Sequence, residues 1–417
     1  MLRSKGPIGG LFPGKPITII GGGISGLFIG HYLKRKNIPF LLIEKEKFLG
    51  GKIGTIKNDY GLNEKAANAI FANEDVYELL SELGIAYDTT RTKLRKVIWR
   101  KNKPQSPPVK ILEILLRLPF LLKKPNYAED STVFDFFSPL LGEKLCHEVL
   151  APIFAGIYAE DISKLHFISL FKSWNNQKSY FQFLLTLFKN RKKQKTKAQS
   201  LSFPGGMQDL VNALKEELKD EIMLEKTIQL EKNQNYIICT DAHEASNLMN
   251  PLSPEIAKSL ADIQYNKLST ATLITESKIP FLKNAFGILF SPTNNKLNSL
   301  GILANSEIFA NRTSHHKLSS YTFILKTGSC NEEHVFKDLE VLHQSDISSD
   351  RKSIEVIHWD KALPIYNFNR YKNILKLRSQ MLEYGNGPVI FGNYVDGISL
   401  RDILGHAKNF VSNINQL

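Results

Sequence analysis

Near the amino terminus, Gly21-Gly22-Gly23-Ile24-Ser25-Gly26 satisfies the spacing G-x-G-x-x-G, a pattern suited to the phosphates of a dinucleotide. Gly21 permits a tight turn, Gly23 lets a pyrophosphate approach the backbone, and Gly26 allows the next helix to pack closely on the strand before it. Ser25 stands in the same turn, and the helix N-terminus adds amide donors and the positive end of its dipole. Glu44 lies 23 residues after Gly21, at the end of the next apolar run, where a carboxylate can accept hydrogen bonds from ribose hydroxyls. The pattern by itself does not separate a nicotinamide from a flavin dinucleotide.

These residues need a βαβ unit to position them, and the flanking sequence supplies one. The β-branched run Ile17 to Ile20 predicts a strand, Leu27 to Lys36 a helix, and Pro39 to Glu44 a second strand. Residues 74 to 84 predict a helix, and 111 to 190 a mostly helical, aromatic stretch broken by Pro107, Pro108, Pro119, Pro125, Pro139 and Pro152. The basic tract Lys189 to Lys197 leads into Ser202-Phe-Pro-Gly-Gly206, where the composition shifts and a boundary is expected. A helix over 207 to 218, a strand over 236 to 240 and alternating strands over 268 to 330 follow. A helix near 370 to 383, a strand Pro388 to Phe391 and a closing helix from about Leu400 complete an α/β pattern.

With 417 residues, the chain is long enough for two or three packed units at about 100 to 200 residues each. Hydrophobic residues at 42% and charged residues at 23% exclude wholesale disorder. Lys and Arg outnumber Asp and Glu by 54 to 41, a net +13, which favours an acidic partner: nucleic acid, anionic lipid or a polycarboxylate substrate. No nucleic-acid-binding module accompanies the charge, so nucleic acid is not expected. Cys146, Cys239 and Cys330 form no C-x-x-C pair, and neither they nor His315-His316 have metal spacing, so no metal is expected and a reducing, cytoplasmic setting is. Arg3, Lys5 and Lys15 flank no apolar core of a secretory signal. The apolar stretch Ile111 to Leu122 holds Glu113, Arg117 and Pro119 and falls short of the ~20 residues of a spanning helix. The basic clusters Arg91 to Lys103 and Lys189 to Lys197 read as solvated loops. Beside the apolar runs Ile111 to Leu122 and Tyr180 to Phe188, their alternative is peripheral contact with an anionic inner membrane face.

Glu44-Lys-Glu-Lys-Phe-Leu-Gly50-Gly51-Lys52 resembles the extended cofactor element of flavin amine oxidases. Two more glycine patches, Gly205-Gly206 and Phe391-Gly-Asn-Tyr-Val-Asp-Gly397, point with it to FAD. The intervening sequence narrows the resemblance to the oxygen-dependent protoporphyrinogen oxidase family. Its carriers are Ala151-Pro-Ile-Phe-Ala-Gly156-Ile-Tyr-Ala-Glu-Asp-Ile-Ser-Lys-Leu165, Ser202 to Gln208, Phe286 to Phe290 with Leu300 to Leu303, Ala362-Leu-Pro-Ile-Tyr366, and Gly392-Asn-Tyr with Gly397 to Asp402. The resemblance spans roughly 17 to 410.

It implies a discontinuous Rossmann-type FAD-binding domain (1–73, 201–262 and 351–417), a mostly helical insertion (74–200) and a mixed-sheet substrate domain (263–350). It implies further that Gly156 lies close to a porphyrin ring, that Arg95 reaches a propionate, and that Phe286, Leu289, Leu303 and Ile324 sandwich the macrocycle. The cofactor would be held by Gly21, Gly23, Ser25, Gly26, Glu44, Gly50, Gly51, Lys52, Thr227, Gly392, Gly397, Ile398 and Ser399. Three departures stand out: Gly54 where the family usually has Arg, Glu64-Lys-Ala-Ala67 in place of Glu-x-Gly-Pro, and a short segment between Lys226 and Tyr236. The expected activity is FAD-dependent oxidation of protoporphyrinogen or coproporphyrinogen to the porphyrin by hydride transfer to flavin N5, with oxygen or another electron acceptor and a homodimer as a candidate assembly. The alternatives are another flavin oxidase or desaturase, acting on an amine or isoprenoid, and a catalytically silent flavoprotein scaffold.

Overall fold

Ile17–Ile20 and Phe40–Ile43 form parallel neighbours in a five-stranded sheet whose order is Ile222–Met223, Phe40–Ile43, Ile17–Ile20, Asn235–Ile238, Val389–Ile390. Every pairing is parallel, and such sheets are stable only when helices cover both faces. On one face the helices Ile24–Arg35 and Leu400–Asn413 bury Leu27, Phe28, Leu33, Leu404 and Ala407. On the other, Ala242–Met249, Pro254–Ala261 and Phe368–Tyr384 bury Met249, Leu260 and Leu377. The first helix begins at Ile24 rather than Leu27, so Ser25 and Gly26 belong to its first turn. The structure, a computed structural model, describes residues 7–91, 93–106, 113, 115–171, 179–192, 199–344, 346–395 and 397–414.

A second, seven-stranded sheet runs Arg351–Trp359, Leu268–Thr275, Ser319–Leu325, Ser299–Ala304, Ala285–Leu289, Arg95–Arg100, Lys103–Gln105. It is mixed: Ala285–Leu289 pairs in parallel with Arg95–Arg100 and antiparallel with Ser299–Ala304. The sheet therefore draws on segments that the expected boundaries assign to the helical insertion and to the last piece of the cofactor domain. The expectation of a solvated loop over Arg91 to Lys103 is corrected. Val97 and Ile98 are buried in the strand, and Arg100 is carried inside with them because two carboxylates neutralise it. Its Nη2 lies 2.6 Å from Glu113 Oε1 and its Nε 2.5 Å from Glu148 Oε2.

One face of this sheet turns Ile302 and Phe323 toward a core shared with Phe290 and with Val335 and Leu339 of the helix Glu332–Val341. The other receives the helix Ala151–Tyr158. That helix belongs to an aromatic bundle with Val133–Leu141 and Tyr180–Lys192, in which Phe136 and Phe167 stack with centroids 3.7 Å apart. Thr132 and Asp135 close a capping box at the start of Val133–Leu141, satisfying donors its first turn would leave open. Lys189 to Lys192 end a helix; residues 193–198 of the basic tract, and Ile111, Leu112 and Ile114 of the apolar stretch, lie outside the described residues.

Candidate dinucleotide and substrate site

The strands Ile17–Ile20, Phe40–Ile43, Asn235–Ile238 and Val389–Ile390 all end on the same edge of the parallel sheet. In open α/β sheets that edge is where ligands bind. The glycine turn leaves it directly, with the Gly21 N–H donating to the Ile43 carbonyl at 2.8 Å. Gly21, Gly23 and Ser25 are half-buried and face the opening, whereas Gly22, Ile24 and Gly26 are buried. A Cβ at Gly26 would lie 2.0 Å from the Gly21 carbonyl oxygen, so helix and turn could not close with any other residue there. At Gly23 the contrast is complete: a Cβ would meet nothing within 4 Å.

Glu44 stands beside this opening. Its Oε2 accepts the Gly22 N–H at 2.6 Å and its Oε1 the Glu46 N–H at 2.9 Å, which fixes the carboxylate and leaves a lone pair on each oxygen. The second glycine pair closes over the first turn: Gly50 N–H donates to the Gly22 carbonyl at 2.9 Å, and a Cβ at Gly51 would stand 3.3 Å from the Gly23 Cα. The open face of Gly23, the free amides of a helix start and an oriented carboxylate fit the diphosphate and ribose of a dinucleotide.

Other expected cofactor residues are less uniform in placement. Lys52 donates its ammonium to the Ala362 carbonyl at 2.8 Å and to that of Lys361, and lies 5.5 Å from the Tyr265 ring centre. Burial pushes its pKa down to about 8, with Asp241 opposing and Lys361 adding to the shift. Thr227 is exposed, one residue beyond Lys226, whose N–H bonds the Glu44 carbonyl at 3.0 Å. Gly392 follows the last parallel strand, and the site a Cβ would take there is 3.7 Å from the Thr240 carbonyl, while one at Gly21 would be 3.2 Å from Thr240 Cγ2. Gly397 has φ +72°, Ile398 packs into the aromatic bundle, and Ser399 caps the closing helix by accepting the Asp402 N–H at 3.1 Å.

Sequence reasoning missed the buried pair that ties the hairpin Thr55–Glu64 to the segment before Ser319–Leu325. Glu64 and Arg312, each 3% exposed, pair at 2.9 Å. Glu64 also accepts the Thr55 hydroxyl at 2.7 Å and the Met207 N–H at 3.0 Å, while Arg312 donates to Ser202 Oγ. Burial raises the Glu64 pKa to about 6 against the pull of these donors. The same Glu64 explains Gly206, which has φ +82° and whose Cβ would fall 2.3 Å from Thr55 Oγ1 and 2.7 Å from Glu64 Oε1. Next door, the Lys65 carbonyl accepts from Trp359 Nε1 and from the Thr270 hydroxyl, both at 3.1 Å. The hairpin Thr55–Glu64 is thereby pinned to the seven-stranded sheet. Arg312 had no spacing signal, and Glu64 was noted only as the start of the departure Glu64-Lys-Ala-Ala67.

The expected macrocycle residues lie on the sheet face turned to Ala151–Tyr158. A Cβ at Gly156 would be 2.7 Å from Leu289 Cδ2, so helix and strand touch there. Leu303 pairs with Gly287, and Ile324 with Gly301, on adjoining strands. A bulge between Ala285 and Gly287 sends both Ala285 and Ile288 into the opposite core, which leaves Phe286 on the same face as Leu289. Arg95 is not gathered there. It pairs with Ala285 while Ile98 pairs with Leu289, and its exposed guanidinium donates to the carbonyls of Phe281 at 3.1 Å and Lys283 at 2.8 Å. Those two carbonyls are the partners of its guanidinium in the structure.

Residues 19–83 match the sequence family described as an NAD(P)-binding Rossmann-like domain. Over 93% of its length the chain is 24% identical to protoporphyrinogen oxidase 2, chloroplastic/mitochondrial, of Arabidopsis thaliana, covering 91% of that protein. It is 21% identical to the coproporphyrinogen III oxidase of Bacillus subtilis over 95% of this chain and 97% of that one. Among solved structures it resembles a candidate protoporphyrinogen oxidase from Exiguobacterium, with TM-score 0.75, 17% identity and coverage of 98% of this chain and all of that one. It also resembles the cyclohexylamine oxidase of Brevibacterium oxydans, with TM-score 0.70, 13% identity and coverage of 97% and 99%.

Proposed function

Taking the chain as a flavin-dependent oxidoreductase of the protoporphyrinogen oxidase family, we propose that it holds FAD and oxidises protoporphyrinogen or coproporphyrinogen to the porphyrin. The observation that carries the cofactor reading is the open space over Gly23, closed in by Gly51 and faced by Glu44. Bound there, FAD would supply the hydride-accepting chemistry that no side chain of the protein possesses. The turn amides would hold its phosphates, and the oriented Glu44 a ribose hydroxyl. Leu289, Leu303 and Ile324, on the sheet face turned to the Gly156 helix, supply apolar side chains of the kind a macrocycle's wall requires. Conversion to the porphyrin removes six hydrogens in three two-electron steps. With oxygen as acceptor, each step would release one peroxide. Exposed Leu116 and Leu122 beside Lys123 and Lys124 support contact with an anionic membrane surface.

The test is turnover. Purified chain reconstituted with FAD and given each porphyrinogen separately should develop porphyrin fluorescence faster than the autoxidation blank. Flavin uptake without acceleration on either substrate would overturn the substrate reading and leave the flavin reading standing. No flavin uptake would overturn both.

A further inference from the structure

Arg370, near the start of the helix Phe368–Tyr384, is 4% exposed. Among the described residues it pairs with no carboxylate, and its Nε has no partner at all. A guanidinium buried without a counter-ion is costly, so its remaining contacts must be important to the fold around it. Nη2 donates to the Tyr394 carbonyl at 2.6 Å and to the Val395 carbonyl at 3.0 Å. The guanidinium carbon lies 3.7 Å from the centre of the Tyr366 ring, and the Tyr366 hydroxyl donates to the Asn393 carbonyl at 2.7 Å.

Three successive carbonyls, those of Asn393, Tyr394 and Val395, are thus drawn back toward one pair of side chains. The N–H groups of a turn held this way face the opposite side and form a concavity suited to acceptor atoms. Among the described residues, the N–H groups of Gly392, Asn393 and Tyr394 donate to no protein acceptor. Gly392 abuts Thr240, as Gly21 does, so the turn borders the cradle. Tyr366 also reaches the substrate side: its carbonyl accepts the His166 N–H at 2.8 Å, and its ring centre is 5.6 Å from that of Tyr158, which ends the helix carrying Gly156.

We infer that Arg370 and Tyr366 are positioning residues that hold the turn Gly392 to Val395 with its free N–H groups presented to the bound dinucleotide, and that they tie this turn to the helix over the substrate face. The inference rests on the flavin reading above.

The experiment compares the full chain with Tyr366→Phe, Arg370→Met and Arg370→Lys. FAD is titrated into flavin-free protein with fluorescence as readout, and both flavin-free and FAD-saturated forms are melted. Tyr366→Phe, losing one hydrogen bond, should weaken FAD binding up to about tenfold, and Arg370→Met should weaken it more. Arg370→Lys, which keeps a donor for the carbonyls, should recover most of the affinity. In the weakened variants the rise in melting temperature conferred by FAD should shrink more than the flavin-free melting temperature falls. FAD affinity equal to the parent's in both Tyr366→Phe and Arg370→Met overturns the inference. So does an equal loss of melting temperature in the two forms, which is the mark of a purely structural role. If Arg370→Met does not fold, Tyr366→Phe, which removes a single oxygen, decides. A cooperatively melting parent that takes up no FAD refutes the flavin reading and the clasp with it; a parent that binds while the variants match it refutes the clasp alone.

Discussion

Glu64 and Arg312 bury a carboxylate and a guanidinium together where the hairpin Thr55–Glu64 meets the segment before Ser319–Leu325. Removing one partner leaves the other charge buried and alone, so Arg312→Ala should cost about 3–5 kcal/mol in urea unfolding. The double variant Glu64→Gln with Arg312→Met should cost less than Arg312→Ala alone. Lys52 gives a pH signature. Its pKa is lowered to about 8 in the folded chain by burial, against about 10.4 in an unfolded one. Between those values the unfolded chain binds more protons, so the Lys52 contribution makes stability rise with pH. Melting measured across that window should show a rise that Lys52→Met flattens. Arg95→Ala, by contrast, removes an exposed side chain bonded to two turn carbonyls. It should change stability by no more than about 1 kcal/mol and leave KM for the porphyrinogen within twofold. The cradle residues were legible because glycine spacing and a carboxylate at a strand end are local. Arg312 and Arg370 were not, because nothing in their neighbouring sequence reports that they are buried or which distant carbonyl or carboxylate receives them.

The glycine turn shows how two identical residues in one element carry different burdens. A methyl group at Gly23 meets only open space, while one at Gly26 meets the Gly21 carbonyl at 2.0 Å. Gly23→Ala should therefore fold with an unchanged melting temperature when flavin-free and yet retain little flavin. Gly26→Ala should lose cooperative melting whether or not flavin is present. Circular dichroism melts with the bound-flavin absorbance ratio separate the two. Most helices and the βαβ unit could be read from periodicity. The strand Arg95–Arg100 could not, because its basic residues looked like solvated positions. In fact Arg95 sits at the exposed strand end and Arg100 is internalised by Glu113 and Glu148. The bulge at Ala285–Gly287 was equally hidden, although it decides which face Phe286 joins.

Across the whole molecule, no helix of the described residues is long and apolar enough to cross a membrane. Leu116 at 63% and Leu122 at 77% exposure nevertheless stand beside Arg117, Lys123 and Lys124. The chain should cosediment with vesicles rich in anionic lipid, weakly with neutral ones, and less as salt rises. Leu116→Glu with Leu122→Glu should abolish the binding while porphyrinogen turnover in detergent persists. Equal sedimentation of parent and variant would remove this edge as the contact. The seven-stranded sheet has a consequence for biosynthesis. Arg95–Arg100 finds its parallel partner only at Ala285–Leu289, about 190 residues later, and the outermost strand ends at Trp359. At about 5–20 residues per second, a ribosome takes about 10 to 40 seconds to make that partner. During that delay Arg95–Arg100 has only Lys103–Gln105 as a partner and its other edge stays open on the nascent chain, so the yield of native protein should depend on translation speed and on the chaperones present more than its final stability would suggest.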